Sequence, residues 1–318
     1  MPNNNHKNKL PHYDDFLLSI GANNYSKETL YNYERDLDTF ALFLTYEMSN
    51  LSFEDINKQT IEQYKAYLNS NDRRTAAGKM AKQDLSSGSI NRTLTSLRRF
   101  LAYLIDMDYS APIPPGSIKL LRMERKHPQV SELEELKKLI ESPMEFEKDK
   151  IVALRNRAAL ETLFASGMRI SELVNLKIVQ LDKSGRIFIQ GKGRKQRFIY
   201  LTERAKRHIE NYLKERSDDF PFLFIPNRGR NVSDKNKHIS TNYLQMKIKK
   251  YRELLGINIP TSAHSLRHGF ATYLAEQGAN PAAIQILLGH ESLDTTTRYV
   301  HASDKFAEST HKKFHPLK

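Results

Sequence analysis

Apolar side chains recur every three or four residues through the first third of the chain, with polar residues between them. One such stripe begins at Ser26 and a second begins at Ser89, and this spacing is typical of amphipathic helices. Thr60 and Gln63 form a capping-box pattern, which predicts that a further helix begins at Thr60. No alternating strand pattern occurs before residue 110. The first part of the chain is therefore predicted to be a small helical bundle.

Three prolines and a glycine interrupt this pattern in the segment YSAPIPPGSIK. Proline and glycine end helices, and prolines favour extended backbone, so the segment is predicted to be a linker. On this basis we divide the chain into a disordered tail over residues 1–10, a helical domain over 11–110, a linker over 111–128 and a second domain over 129–318.

The second domain combines helical patterns with one short β element. The runs RIFIQ and QRFIYL are rich in β-branched and aromatic residues and flank GKGRK, which predicts a hairpin with strands at 186–190 and 196–201. The predicted helices of this domain span residues 132–142, 149–165, 169–177, 203–216, 240–255, 265–277 and 281–288. The fold class is therefore predicted to be mainly α with a small β-sheet.

Charge points to a polyanionic partner. The chain has 318 residues, a length that suits about two domains, and a formal net charge of +13. Such an excess favours nucleic acid or anionic lipid, although a basic surface without a partner is the alternative. Residues 1–127 contain 17 Lys and Arg against 15 Asp and Glu, whereas residues 128–318 contain 33 against 22. The second domain therefore carries most of the excess.

Composition also excludes several kinds of chemistry. The chain has no cysteine, so it can form no disulfide, Cys-ligated zinc site or thiol nucleophile. No apolar run reaches the roughly 18–20 residues of a membrane helix, and the N-terminal residues lack the apolar stretch of a signal peptide. We therefore expect a cytoplasmic protein.

Two segments of the second domain place cations in unusual settings. Arg169 follows Gly167 among apolar neighbours, where an arginine usually anchors the structure by pairing with a carboxylate such as Glu172. The predicted hairpin carries four cations in six residues, which suits either a solvated turn or a loop that enters a nucleic-acid groove. These four cations are Lys192, Arg194, Lys195 and Arg197.

Histidines and a tyrosine near the end of the chain are further candidates. His264 and Arg267 lie three residues apart at the start of a predicted helix, so their side chains can converge. His264 and His268 suggest zinc, but the helix offers no third ligand and HxxRH is not a recognised zinc spacing. Considered alone, His290 complements a helix dipole and Tyr299 is a packing residue.

Taken together, these residues resemble the signature of tyrosine site-specific recombinases, in particular the Xer and phage-integrase branch. The shared elements are Arg169 in G-x-R-x-x-E-L, Lys192 in G-K-G, His264-x-x-Arg267, Leu-Gly-His290, and Tyr299 nine residues later. The resemblance covers most of the chain, and the N-terminal helices resemble the SAM-like core-binding domain of that family. It implies a DNA-binding helical bundle followed by an α+β catalytic domain.

The resemblance also implies a role for each residue. Tyr299 would attack a DNA phosphodiester and leave a 3′-phosphotyrosyl bond. Arg169 and Arg267 would hold the phosphate oxygens, for which the guanidinium fork is well suited, and His290 would add a third donor.

The remaining roles concern protons. His264 would accept the proton of the tyrosine, whose reference pKa of about 10 makes it a poor nucleophile while protonated. Lys192 would protonate the departing 5′ oxygen, and Glu172 would orient Arg169 or His264 from behind. This chemistry implies no metal ion, ATP or other cofactor.

The resemblance implies double-stranded DNA as the partner and a tetramer on two sites. Residues 304–318 are expected to form a tail that docks on a neighbouring protomer, so deleting them should reduce assembly more than binding to a single site. A paired homologous recombinase or an activator is a further expected partner, and the protein would be associated with the nucleoid. The expected DNA-contacting cations, each with a solvated face as the alternative, are Arg92, Arg98, Arg99, Arg194, Lys195 and Arg197.

Three other functions remain open at the level of the sequence. A type IB topoisomerase uses similar chemistry, although the Xer-like C-terminal motif and the layout of bundle and linker argue against it. A catalytically silent DNA-binding architectural protein need not retain the complete polar set. An RNA-binding protein would be expected to offer aromatic platforms, which this sequence lacks. For a recombinase, chromosome dimer resolution and the integration or excision of a mobile element are both compatible with these motifs.

Overall fold

A computed structural model describes residues 10–123, 131–182, 184–190 and 196–289. The chain divides into two compact units, residues 1–126 and 127–318. Each unit has a hydrophobic core formed only from its own residues. No described helix is long and apolar enough to cross a membrane.

The described residues of the first unit form four α-helices, as expected for a helical bundle. They are α1 (Tyr13–Ala22), α2 (Lys27–Tyr46), α3 (Lys58–Leu68) and α4 (Ser87–Asp106). Helix α1 is not among the helices predicted above, although Tyr13, Phe16 and Ile20 have helical spacing and are buried. The aromatic centre of the unit brings Phe40 to 4.7 Å from Tyr64, measured between ring centroids.

Two of the predicted helix starts are wrong by about one turn. Helix α3 begins after Asn57 and not at Thr60, because the Asn57 side chain accepts hydrogen bonds from the backbone N–H groups of Gln59 and Thr60. Helix α4 begins after Ser86, whose side chain accepts the N–H of Ser89. In both cases an earlier side chain caps the free N–H groups of the first turn.

A buried carboxylate joins α2 to α4. Asp36 is 3% exposed and accepts hydrogen bonds from Arg92 at 2.8 Å and from Ser96 at 2.9 Å. Burial raises the pKa of Asp36, and these donors act in the opposite direction. Arg92 and Ser96 thus supply hydrogen bonds to the Asp36 carboxylate, which would otherwise be costly to bury.

The second unit contains eight described helices and a two-stranded sheet. The helices are α5 (Leu133–Glu141), α6 (Pro143–Phe146), α7 (Lys150–Ser166), α8 (Ile170–Val174), α9 (Glu203–Lys214), α10 (Thr241–Leu254), α11 (Ala263–Glu276) and α12 (Pro281–Leu288). The predictions of helices at 149–165 and 203–216 are confirmed to within two residues by α7 and α9. Helix α7 lies at the centre of the unit, and 12 of its 17 residues are buried.

The predicted hairpin strands are also confirmed. Strands β1 (Arg186–Gln190) and β2 (Gln196–Tyr200) pair antiparallel, with Arg186 opposite Tyr200 and Gln190 opposite Gln196. The residues of β2 alternate between exposed and buried positions, so that Arg197 and Ile199 share the buried face. An arginine thus occupies a position where the alternation predicts an apolar side chain.

Candidate active site

The end of helix α7 determines where Arg169 lies. Gly167 follows the helix with a φ of +60°, a left-handed conformation that glycine adopts without strain. The ring of Phe270 from α11 packs directly against it, and a Cβ atom on Gly167 would lie 2.4 Å from Phe270 Cδ1. This tight turn brings the chain to Arg169, which immediately precedes α8.

Glu172 links Arg169 to Arg197. The backbone N–H of Arg169 donates to Glu172 Oε2 at 2.7 Å, and Arg169 Nη1 donates to Oε1 at 3.1 Å. From strand β2, Arg197 Nη1 and Nη2 donate to Oε1 and Oε2 at 2.9 and 2.8 Å. Burial alone would raise the pKa of Glu172, but the hydrogen bonds from Arg197 and from the Arg169 backbone hold it below its usual range. Glu172 is therefore ionised at neutral pH and shared by two arginines.

Arg267 joins this group from helix α11. Its side chain is buried, and its Nη1 donates to the carbonyl oxygen of Gly167 at 2.7 Å. The same turn that places Arg169 therefore also supplies an acceptor for Arg267. The two arginines approach one another from segments that are about 100 residues apart in the sequence.

Three arginines donate to three successive carbonyl oxygens at the end of helix α12, which we call the α12 carbonyl cluster. These carbonyls have no partner within the helix and carry its partial negative charge, so guanidinium groups complement them. The pairs are Arg197 Nε with Leu287 at 3.0 Å, Arg267 Nη2 with Leu288 at 2.6 Å, and Arg169 Nη2 with Gly289 at 3.3 Å.

Two histidines on α11 lie beside these arginines. The Nε2 atoms of His264 and His268 are 2.7 Å apart, and the rings are nearly perpendicular. Burial, followed by the charges of Arg267 and Arg169, lowers the pKa of His264. Burial, followed by His264 and Arg267, lowers the pKa of His268 to about 4. Both rings are therefore neutral at pH 7, with one Nε2 donating and the other accepting.

The structure brings together the predicted catalytic and orienting residues that it describes, namely Arg169, Glu172, His264 and Arg267. Five predicted site residues, together with the tail over 304–318, lie outside the described residues: Lys192, Arg194, Lys195, His290 and Tyr299. His290 directly follows Gly289, the last residue of the α12 carbonyl cluster.

Arg197 differs from its predicted place among the DNA-contacting cations. Its side chain is only 7% exposed, and it donates to Glu172 and to the end of α12. Every second residue of a strand lies on the same face. Because Ile199 is an apolar residue expected on the buried face, Arg197, two positions earlier, could have been predicted to be buried as well.

The three predicted DNA-contacting arginines of the first unit have different surroundings. Arg92 pairs with Asp36, and Arg98 donates through Nε to the carbonyl oxygen of Ile118 at 2.7 Å. Arg99 is exposed. Arg92 and Arg98 thus stabilise the fold of the bundle, whatever else they contact.

Metal-ligating side chains do not cluster within the described part of the chain. No group of three or more His, Cys, Asp or Glu residues there is placed to hold a metal ion. The His264–His268 pair accordingly has no third ligand placed beside it among the described residues.

Comparisons with known proteins relate both units to described families. A model of the phage integrase family matches residues 130–305, and a model of the phage integrase N-terminal SAM-like domain matches residues 12–107. The tyrosine recombinase XerC of Pelobacter propionicus is 33% identical over 297 residues, which cover 92% of this chain and 91% of that protein. The XerC of Thermodesulfovibrio yellowstonii is 34% identical over 242 residues, which cover 73% and 77%.

Solved structures agree in fold. The XerH site-specific recombinase bound to a palindromic difH substrate superimposes with a TM-score of 0.69 at 23% identity, over 92% of this chain and 81% of that chain. A lambda integrase dimer bound to a COC′ core site superimposes with a TM-score of 0.65 at 14% identity, over 90% and 75%. The predicted fold class, a SAM-like helical bundle with a mainly α catalytic domain that contains a small sheet, is confirmed.

Proposed function

The chain belongs to the phage integrase family and is a tyrosine recombinase, and from this premise we propose that it cleaves and rejoins double-stranded DNA at specific sites through a 3′-phosphotyrosyl intermediate. One observation carries the proposal: Arg169 and Arg267 meet at adjacent carbonyls of α12, beside His264 and directly before His290. The DNA-bound XerH and lambda integrase structures support DNA as the partner.

The two arginines suit a phosphodiester. The transition state of phosphoryl transfer gathers negative charge on the non-bridging oxygens, so donors that are already in place stabilise it most. Arg267 is held in a buried position by Gly167 and Leu288, whereas the Arg169 side chain is 37% exposed and can be reached by a ligand. We propose that Arg267 fixes one side of the phosphate site and Arg169 closes the other.

Strand cleavage requires one bond to form and one to break. Tyr299 Oη attacks phosphorus, and the bond from phosphorus to the 5′ oxygen breaks, which leaves the phosphate on the tyrosine. His264 takes the phenol proton, for which its lowered pKa keeps it neutral and able to accept at pH 7. Lys192 gives a proton to the 5′ oxygen. Because the phosphotyrosyl ester retains the energy of the broken bond, a second 5′ hydroxyl can reverse the step without ATP.

Strand exchange between two sites requires several protomers. We propose a tetramer on two sites, in which residues 304–318 of one protomer dock on its neighbour. The support is the family and the DNA-bound dimer of lambda integrase, and the deletion of this tail described above tests it.

A nicked suicide substrate tests the proposed cleavage. Wild-type protein is expected to form a covalent adduct with its site, while Tyr299→Phe binds the same DNA and forms none. Tyr200→Phe is a matched control, because it removes an exposed hydroxyl from the same unit and should leave the adduct unchanged. An adduct with Tyr299→Phe would overturn the assignment of the nucleophile. Relaxation of a supercoiled plasmid that lacks the site would favour the topoisomerase.

A further inference from the structure

Arg197 is a buried cation with an unusually complete set of partners. It lies on the inward face of β2, where its side chain is 7% exposed. Nη1 and Nη2 donate to the two oxygens of Glu172, and Nε donates to Leu287. Burying a charge is expensive unless it is paired and hydrogen-bonded, and this arrangement meets both conditions.

The first consequence of this pairing concerns Arg169. Glu172 has two oxygens, and each of them accepts one hydrogen bond from Arg197 and one from Arg169. The bidentate pair with Arg197 fixes the plane of the carboxylate. Since Arg169 docks on the same carboxylate, Arg197 determines the direction in which the exposed guanidinium of Arg169 can point.

The second consequence concerns the end of α12. The Arg197 side chain packs against Gly289, where a Cβ atom would lie 3.0 Å from Arg197 Cδ and 3.1 Å from its Nη1. Gly289 also has a φ of +65°. Arg197 thus contacts the residue that immediately precedes His290.

We propose that Arg197 is a positioning residue for strand cleavage. It connects three segments at one point: strand β2, which begins four residues after Lys192 in the sequence; helix α8, which follows Arg169; and the end of α12, which precedes His290. In this role it acts through Glu172 and the backbone of α12 and takes no direct part in the chemical step. The inference rests on the proposed function, because it names the residue that aligns the phosphate-binding groups of that reaction.

A stability measurement cannot distinguish a positioning residue from a purely structural ion pair. The test therefore compares cleavage of a charged phosphate with cleavage of an uncharged analogue. A methylphosphonate linkage replaces one charged non-bridging oxygen with a methyl group. A variant that is slow because Arg169 no longer neutralises that oxygen should lose much of its defect on this substrate. A variant that is slow because the protein is less stable should be equally slow on both substrates.

The comparison includes Arg197→Gln, Arg197→Lys, Arg169→Gln and Arg157→Gln. Arg157 is the matched control, because its side chain is also 7% exposed and pairs with a buried carboxylate, Glu161, at 2.8 Å. Single-turnover cleavage of a suicide substrate is measured at saturating protein with both linkages. DNA affinity is measured by gel shift, and the melting temperature by circular dichroism.

Arg197→Gln is expected to cleave the phosphodiester about 100-fold more slowly, since a displacement of about 1 Å in a catalytic group costs that much. Its affinity for DNA should change by less than about threefold, because only an alignment is lost. On the methylphosphonate its defect should shrink at least about tenfold, as should that of Arg169→Gln. Arg197→Lys keeps the positive charge but loses the two-pronged guanidinium group, so its cleavage rate should lie between those of wild type and Arg197→Gln.

Two results would overturn the inference. One is cleavage by a folded Arg197→Lys or Arg197→Gln variant at the wild-type rate. The other is an equal defect on both linkages that follows the melting temperature as it does for Arg157→Gln. Absence of an adduct with the wild-type protein is a different outcome, which overturns the proposed function and this inference together.

Discussion

At the scale of single residues, the His264–His268 contact limits where His264 can accept a proton. Two Nε2 atoms 2.7 Å apart share one hydrogen, so His264 can accept a further proton at Nδ1 when its own Nε2 is the donor. Arg267 adds a permanent positive charge nearby, which contributes to the lowered pKa of both rings. His264 therefore begins as a neutral ring with an acceptor, which is the state that a proton-accepting role requires.

The lowered pKa of His268 predicts a loss of stability in mild acid. Its pKa is about 4 in the folded protein and near 6.5 in the unfolded chain, so the unfolded chain binds more protons between these values. The free energy of unfolding should therefore fall as the pH drops from 6.5 towards 4. His268→Gln keeps a hydrogen-bonding group without this titration, so between pH 7.5 and 5 it should lose about 1–2 kcal/mol less than wild type. Urea unfolding at the two pH values measures this difference, and equal losses would contradict it.

At the scale of secondary structure elements, the sequence predicts positions better than ends. The apolar spacing predicts α7 and α9 to within two residues. Each helix packs its buried residues against the core of its unit, and this burial produces a regular apolar pattern in the sequence. Caps are harder to predict from the sequence, because more than one residue near each helix start can act as a cap. Asn57 competes with Thr60, and Ser86 competes with Ser89. Only the folded chain shows which side chain reaches the free N–H groups.

The C-terminal end of α7 offers an element-scale prediction. Gly167→Ala combines a left-handed backbone with a Cβ atom 2.4 Å from Phe270, whereas Gly256 has a similar φ of +66° and open space around it. Gly256→Ala should cost about 1 kcal/mol from the backbone alone. Gly167→Ala should cost about 3 kcal/mol, because overpacking adds to the same strain. Denaturant unfolding of the two variants compares them, and equal costs would argue against the Phe270 contact.

At the scale of the whole molecule, the family predicted from the motifs is confirmed over both units. The arrangement around Glu172 was less accessible to sequence reasoning. The pairing of Arg169 with Glu172 follows from a spacing of three residues, and the structure contains it. The bonds from Arg197 and Arg267 to α12 do not follow from spacing, because they join residues 90 and 21 positions apart and depend on how strand and helices pack.

The separation of the two cores predicts that each unit folds alone. Core residues of the first unit lie between Leu10 and Ile118, and those of the second lie between Leu136 and Leu288. Fragments 1–126 and 127–318 should each unfold cooperatively in a thermal melt followed by circular dichroism. Each midpoint should lie within about 5 °C of a transition of the intact chain, since each fragment keeps all of its own core residues. A fragment without a cooperative transition would show that its core is incomplete.

The three arginines at the α12 carbonyl cluster also oppose any sliding of helix α12 along its axis. A helix that slides by one residue rises 1.5 Å and turns by about 100°, which would withdraw all three carbonyls from their donors at once. The three donors come from β2, α11 and the residue before α8. If only one of these elements moved together with α12, only one of the three hydrogen bonds would be kept. Helix α12 is therefore locked in one register, and the chain that leads to His290 departs from a fixed point.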